Sequence, residues 1–181
     1  MAGFLGRWLG DSIRLGLALF LTLSAMQLPG LADAYQAGLR QAAEATARDL
    51  AERERIARDY YRLPEQTTGP ALVEALRGPE PANAEGLRRS AARLAGLRAA
   101  HAEMAAAPGL LRPLVAFRVA AGGAEDAEAA VLATAYETYI PRLLLNTAGA
   151  IYGLGGLMLG LLLAQLLTAP FRRRQPAPAW R

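Results

Sequence analysis

The chain contains no cysteine, no lysine and only one histidine among its 181 residues. The lack of cysteine excludes disulfides, thiolate metal sites and a cysteine nucleophile. It leaves the compartment open, because an oxidising space permits disulfides without requiring them. His101 has no second ligand-type side chain three or four positions away, so no helical metal-binding pair forms around it. A lone histidine on an apolar stripe is expected to be packed. Strand-type alternation, internal repeats, phosphate-binding and dinucleotide glycine motifs and a nucleophile elbow are all missing. These absences remove the common enzyme signatures, and the expectation is a protein with no catalytic residue, cofactor or metal.

What the chain does have is long apolar runs. Leu143 to Ala169 is apolar almost throughout and stops at Phe171-Arg172-Arg173-Arg174. About 20 such residues cross a bilayer as a helix. Gly149, Gly153, Gly156 and Gly160, continued by Ala164, fall within about 80° of the circumference of that helix. Small residues let helices approach closely in lipid, where no hydrophobic drive brings them together. Leu15 to Leu31 forms a second apolar run, and Ala18, Thr22 and Ala25 give it a similar small-residue strip. Whether the glycine strip meets that strip, a second copy or a foreign subunit stays open. Asn146, Thr147 and Gln165 are the clearly polar side chains of the later run, and either cross-helix bonding or headgroup contact suits them. Neither run has a charged residue in its interior, which argues against a proton path or ion coupling.

The charge is divided unevenly. Residues 31–143 hold fourteen arginines and fifteen acids, whereas the two ends carry Arg7, Arg14, Arg172, Arg173, Arg174 and Arg181 against Asp11 alone. A surplus confined to the flanks of apolar runs is membrane-flanking charge and argues against nucleic-acid binding. By the positive-inside rule both ends are expected in the cytoplasm and residues 32–141 in the periplasm, with the chain in the inner membrane. Trp8 and Tyr139 suit the interfacial layers as anchors. A rival reading remains: Arg7 and Arg14, Leu15 to Met26 and Ala32-Asp33-Ala34 also resemble a cleavable signal peptide, which leaves a tail-anchored periplasmic protein.

Between the runs the pattern is helical. Tyr35 to Leu63 carries acid-before-base pairs four apart, Glu44–Arg48, Asp49–Arg53 and Glu54–Arg58, and a thin stripe of Leu39, Ala43, Thr46, Leu50 and Ala57. Tyr60-Tyr61 reads either as a partner contact or as packing at a hairpin tip. A short helix follows, capped by Thr68 or Gly69, with Pro70 in its first turn and Gly78-Pro79 as its stop. Asn83 is expected to cap a helix from Ala84 to about Ala106, with a stripe of Leu87, Ala91, Leu94, Leu97, His101 and Met104. Leu110 to Val119 is a compact apolar piece, and Gly122-Gly123 a turn. Ala124 to Tyr139 closes the region, with Glu125, Asp126 and Glu128 in a first turn where acids suit the helix dipole. The predicted fold is all-α. Its divisions are an amphipathic N-terminus (1–14), a first membrane helix (15–31), an extracytoplasmic helical hairpin or small bundle (32–141), a second membrane helix (143–169) and a basic tail (170–181).

Gln27-Leu28-Pro29 leading to Tyr35 and Leu39, and Tyr136-Glu137-Thr138-Tyr139-Ile140-Pro141 before a glycine-rich run, resemble domain-of-unknown-function family 2937, small proteobacterial envelope proteins. Where members often carry a second proline soon after Pro141, Arg142-Leu143-Leu144 stands here. The resemblance covers most of the chain, implies an inner-membrane two-span architecture and brings no active site. The function expected from these readings is that of an accessory or scaffolding subunit of a membrane complex, photosynthetic or respiratory, packing its glycine strip on another integral membrane protein or a second copy. The alternative class is an extracytoplasmic sensor whose output comes from a partner, since about a dozen residues follow the last run.

Overall fold

The computed structural model describes residues 2–122, 127–142 and 146–172, with side chains from 8 to 122, 127 to 142 and 146 to 168. Among the described residues there are seven helices and no strand: α1 (Ala2–Met26), α2 (Leu28–Tyr61), α3 (Pro70–Leu76), α4 (Pro81–Ala106), α5 (Arg112–Gly122), α6 (Ala127–Thr138) and α7 (Thr147–Arg172). The all-α fold is as the sequence predicts. The chain divides into two compact units, one of residues 1–30 and 140–181, the other of residues 31–139.

In the first unit α1 packs along α7. The expected short N-terminal helix and the membrane helix after it are one element, because no residue between Trp8 and Met26 breaks the helix. The predicted run to Leu31 is instead divided at Gln27. Pro29 lacks an N–H and cannot continue α1, but it fits the first turn of the next helix, where that N–H has no partner anyway. The Gln27 side-chain oxygen accepts a hydrogen bond from the Arg142 backbone at 3.1 Å. Asn146 caps α7, its side-chain oxygen accepting from Gly149 N–H at 2.7 Å, so it serves the helix start rather than a cross-helix bond. Two helical stretches, within Trp8–Tyr61 and at Thr147–Thr168, are long and apolar enough to cross a membrane, with mean hydropathies of 1.6 and 1.9.

The second unit is a small bundle with two cores. Tyr35, Leu39 and Ala43 of α2 meet Leu94, Leu97, Ala100 and Met104 of α4, Ala116 and Val119 of α5, and Ala127 and Ala135 of α6. Farther along α2, Ala57 joins Leu72 and Leu76 of α3 and Ala84 and Leu87 of α4. Each fully buried leucine contributes roughly 1.5–3 kcal/mol. Ala91, expected on the α4 stripe, is exposed; Ala100 is buried in its place. The α4 helix also starts earlier than predicted. Pro81 occupies its first turn, and Asn83 lies inside, donating to Glu80 at 3.1 Å.

The charged face of α2 is laced with ion pairs, but not all as predicted. Asp49–Arg53 (2.9 Å) and Glu54–Arg58 (3.8 Å) form. Glu44 turns back to Arg40 at 2.8 Å instead of forward to Arg48. Both arginines lie four residues from Glu44, so spacing alone does not choose between them. Of the expected first-turn acids of α6, Glu128 is in place, and Glu125 and Asp126 lie outside the described residues.

Candidate functional site

Among the described residues three places have geometry beyond ordinary helix packing, one in the first unit and two in the second. In the first unit the small-residue strip of α7 faces α1. Gly149, Gly153, Gly156, Gly160 and Ala164 are all buried, while their neighbours Leu154, Leu161, Leu162 and Leu166 are exposed. A methyl group built on Gly153 would meet Met26 Cγ at 2.8 Å and Thr22 Cγ2 at 3.7 Å. On Gly156 it would strike the Leu21 carbonyl and lie 2.8 Å from Ala25 Cβ, and on Gly160 it would lie 2.6 Å from Ala18 Cα. The strip is therefore filled from within by Ala18, Thr22 and Ala25. Thr22 spends its hydroxyl on the Ala18 carbonyl of its own helix at 2.7 Å, so the contact is one of shape alone.

The residues expected to anchor the helices are less closely engaged. Trp8 is exposed, Tyr139 is half-buried, and Arg14 lies 3.9 Å from Asp11. The side chains of Arg7 and Arg172 lie outside the described residues, as do Arg173 and Arg174. Thr147 and Gln165 are exposed.

In the second unit a polar pair sits inside the first core. Tyr35 is fully buried and Glu128 is 7% exposed. Among the described residues no protein group hydrogen-bonds the Tyr35 hydroxyl or Glu128 Oε2. Burial, then the nearby carboxylates of Glu128 and Glu103, pushes the phenol up from 10.0 to about 12. Glu128 lies in the first turn of α6, where free N–H groups favour a negative charge. A methyl group on Gly96 would lie 3.0 Å from Glu128 Oε1, so that glycine gives the carboxylate its room. The sequence marks Tyr35 only as the start of a helix and Glu128 only as a first-turn acid. A glycine in mid-helix, unfavourable by about 1 kcal/mol, was the available sign that something large lies opposite Gly96.

His101 does not join the apolar stripe fully. It is half-buried at the edge of an open cleft of about 390 Å³, lined by Arg40, Ala43, Glu44, Ala47 and Arg48 of α2 and by Arg98 of α4. Among the described residues no three histidine or carboxylate side chains come together as a metal site. Tyr60 and Tyr61 meet edge to face with centroids 4.9 Å apart. Tyr61 packs on the second core and its hydroxyl donates to Glu80 at 3.1 Å, whereas Tyr60 is exposed.

Residues 9–176 match the family described as protein of unknown function DUF2937. The chain belongs to that family. No curated protein and no solved structure matches it.

Two outcomes follow from this geometry. Gly156→Leu is expected to separate α1 from α7 and lower the thermal stability of the detergent-solubilised protein by roughly 1–3 kcal/mol. Gly155→Ala, one residue away where an added methyl group meets nothing within 4 Å, is expected to be neutral or stabilising by up to about 1 kcal/mol. Equal effects of the two would contradict the assigned face. For Tyr35, the folded value lies above the unfolded one, so its contribution is intact below pH 10 and is lost as pH rises from 10.0 to about 12. Ultraviolet titration of the folded protein is expected to show a late-ionising phenol that Tyr35→Phe removes. An unchanged titration curve in that variant would refute it.

Proposed function

We propose that this family member is a non-catalytic inner-membrane scaffold whose paired end helices anchor an extracytoplasmic helical domain that binds another membrane protein. The observation that carries this reading is the filled glycine strip: α7 spends its small-residue face on α1 of its own chain. A partner is then met by the helical domain, rather than through the strip as first expected. The exposed rim of the helix pair, which includes Leu15, Leu19, Phe20, Leu154, Leu162 and Leu166, has the composition of a lipid-facing surface. The arginine surplus at both ends favours cytoplasmic termini and a periplasmic domain.

The scaffold reading is tested by purifying the intact protein from its own membrane in mild detergent and measuring the mass of the particle. A stoichiometric second polypeptide beyond the 19.2 kDa chain is expected, and a partner-free monomer would sink the reading. Reporter fusions after residues 142 and 181 test the orientation separately.

One observation favours a second reading, that of a sensor. The cleft between α2 and α4 gathers Arg40, Arg48, Arg98 and His101 around a single acid, Glu44, which is already paired with Arg40. A small anion, a carboxylate or phosphate, has the complementary charge. Under this reading inorganic phosphate or a dicarboxylate raises the melting temperature of the full chain, and Arg98→Glu abolishes the rise. No shift with either probe removes the reading.

A further inference from the structure

The cleft between α2 and α4 has a floor of alanine and walls of charge. Ala43 and Ala47 lie one turn apart on α2, and their small side chains leave the space between the two helices open. Arg40, Glu44 and Arg48 follow one another at four-residue steps along one side of α2, which puts the acid between two arginines. Arg98 and His101 of α4 line the other wall. The space of about 390 Å³ is in the range of small-molecule sites and is larger than one carboxylate fills.

The cleft already holds one carboxylate, and it is the chain's own. Glu44 Oε1 accepts a hydrogen bond from Arg40 Nε at 2.8 Å. The hydrogen bond and charge of Arg40 hold the Glu44 carboxyl below its usual range, and Arg48 and His101 act on it in the same direction. Cations of both helices thus act on a single carboxylate position. Arg48 and Arg98 have no ion-pair partner among the described residues, so Glu44 does not use up the positive charge gathered there.

The internal pair is also easily opened. The Arg40 and Glu44 side chains are 71% and 54% exposed, and water screens and solvates ion pairs of this kind. An arriving carboxylate that takes the place of Glu44 on Arg40 re-forms the same charge-assisted bond. A second carboxylate on the same ligand then meets the positive charge of Arg48 and Arg98. We propose that the cleft binds a small dicarboxylate with one carboxylate at the position that Glu44 fills, which makes Glu44 an internal competitor of the ligand. This rests on the sensor reading above, and names the ligand group and the residue that limits its affinity.

Binding of succinate to the full-length protein in mild detergent is measured by titration calorimetry for the wild type, Glu44→Gln, Glu44→Ala and Asp49→Asn. Both Glu44 variants are expected to bind about fivefold more tightly than the wild type, since each frees Arg40. Asp49→Asn is the control. It removes an equally exposed acid from α2, paired with Arg53 at 2.9 Å, but outside the cleft, and is expected to bind as the wild type does. Equal or weaker binding by the Glu44 variants overturns the inference while leaving the sensor reading in place. An equal gain in Asp49→Asn overturns it as well, because the effect is then one of net charge alone. A wild type that binds inorganic phosphate but not succinate overturns the carboxylate assignment and keeps the sensor reading. If the wild type binds neither probe, the sensor reading and the inference fail together.

Discussion

The close approach of α7 to the α1 backbone at Gly156 and Gly160 is the contact on which the rest of the arrangement depends. Any side chain at these positions would occupy the space of the Leu21 carbonyl or Ala18 Cα. In lipid, dispersion and shape have to do what the hydrophobic effect does in water, and they fall off steeply with distance. Glycine at the crossing lets many weak contacts form at once. α1 and α7 are thereby brought together, and residues 31–139, which lie between them in the sequence, form a separate compact unit.

The same device recurs in the second unit for another purpose. A methyl group on Gly38 of α2 would lie 3.0 Å from Val131 of α6, and Gly96 of α4 makes room for Glu128. The core there is rich in alanine, with a few large side chains, Tyr35, Leu39, Leu97 and Met104, filling its centre. Among the described residues the Tyr35 hydroxyl and one oxygen of Glu128 have no protein partner in this core, and each such buried polar atom costs about 1–3 kcal/mol. The fold accepts that cost beside the start of α6, where the helix dipole offsets part of the charge.

The sequence reading goes as far as periodicity reaches and fails where two partners satisfy the same spacing. Helical type, the glycine face and most of the α4 stripe follow from the 3.6-residue period. The occupant of the glycine face does not, because a period identifies a face and not what lies opposite it. Glu44 has an arginine four residues away on each side, and only side-chain packing selects Arg40. Pro29 sits inside an unbroken apolar run, so composition hides the boundary at Gln27, although proline is at home in a helical first turn. Asn83 resembles a cap until Pro81 is recognised as the stronger start. The apolar piece Leu110 to Val119 is legible in composition, but which of its side chains are covered is not: Pro113, Ala116 and Val119 are buried, and Leu114 and Phe117 are exposed.

The pairing of α1 with α7 within one chain is most directly tested by solid-state NMR of isotope-labelled protein in bilayers, undiluted and then diluted with excess unlabelled chain. Cross-peaks linking Gly160 to Ala18 and Gly156 to Ala25 are expected, with intensity per labelled chain unchanged on dilution. Cross-peaks that vanish on dilution would place the contact between copies, and their absence from both samples would mean that the two helices do not meet.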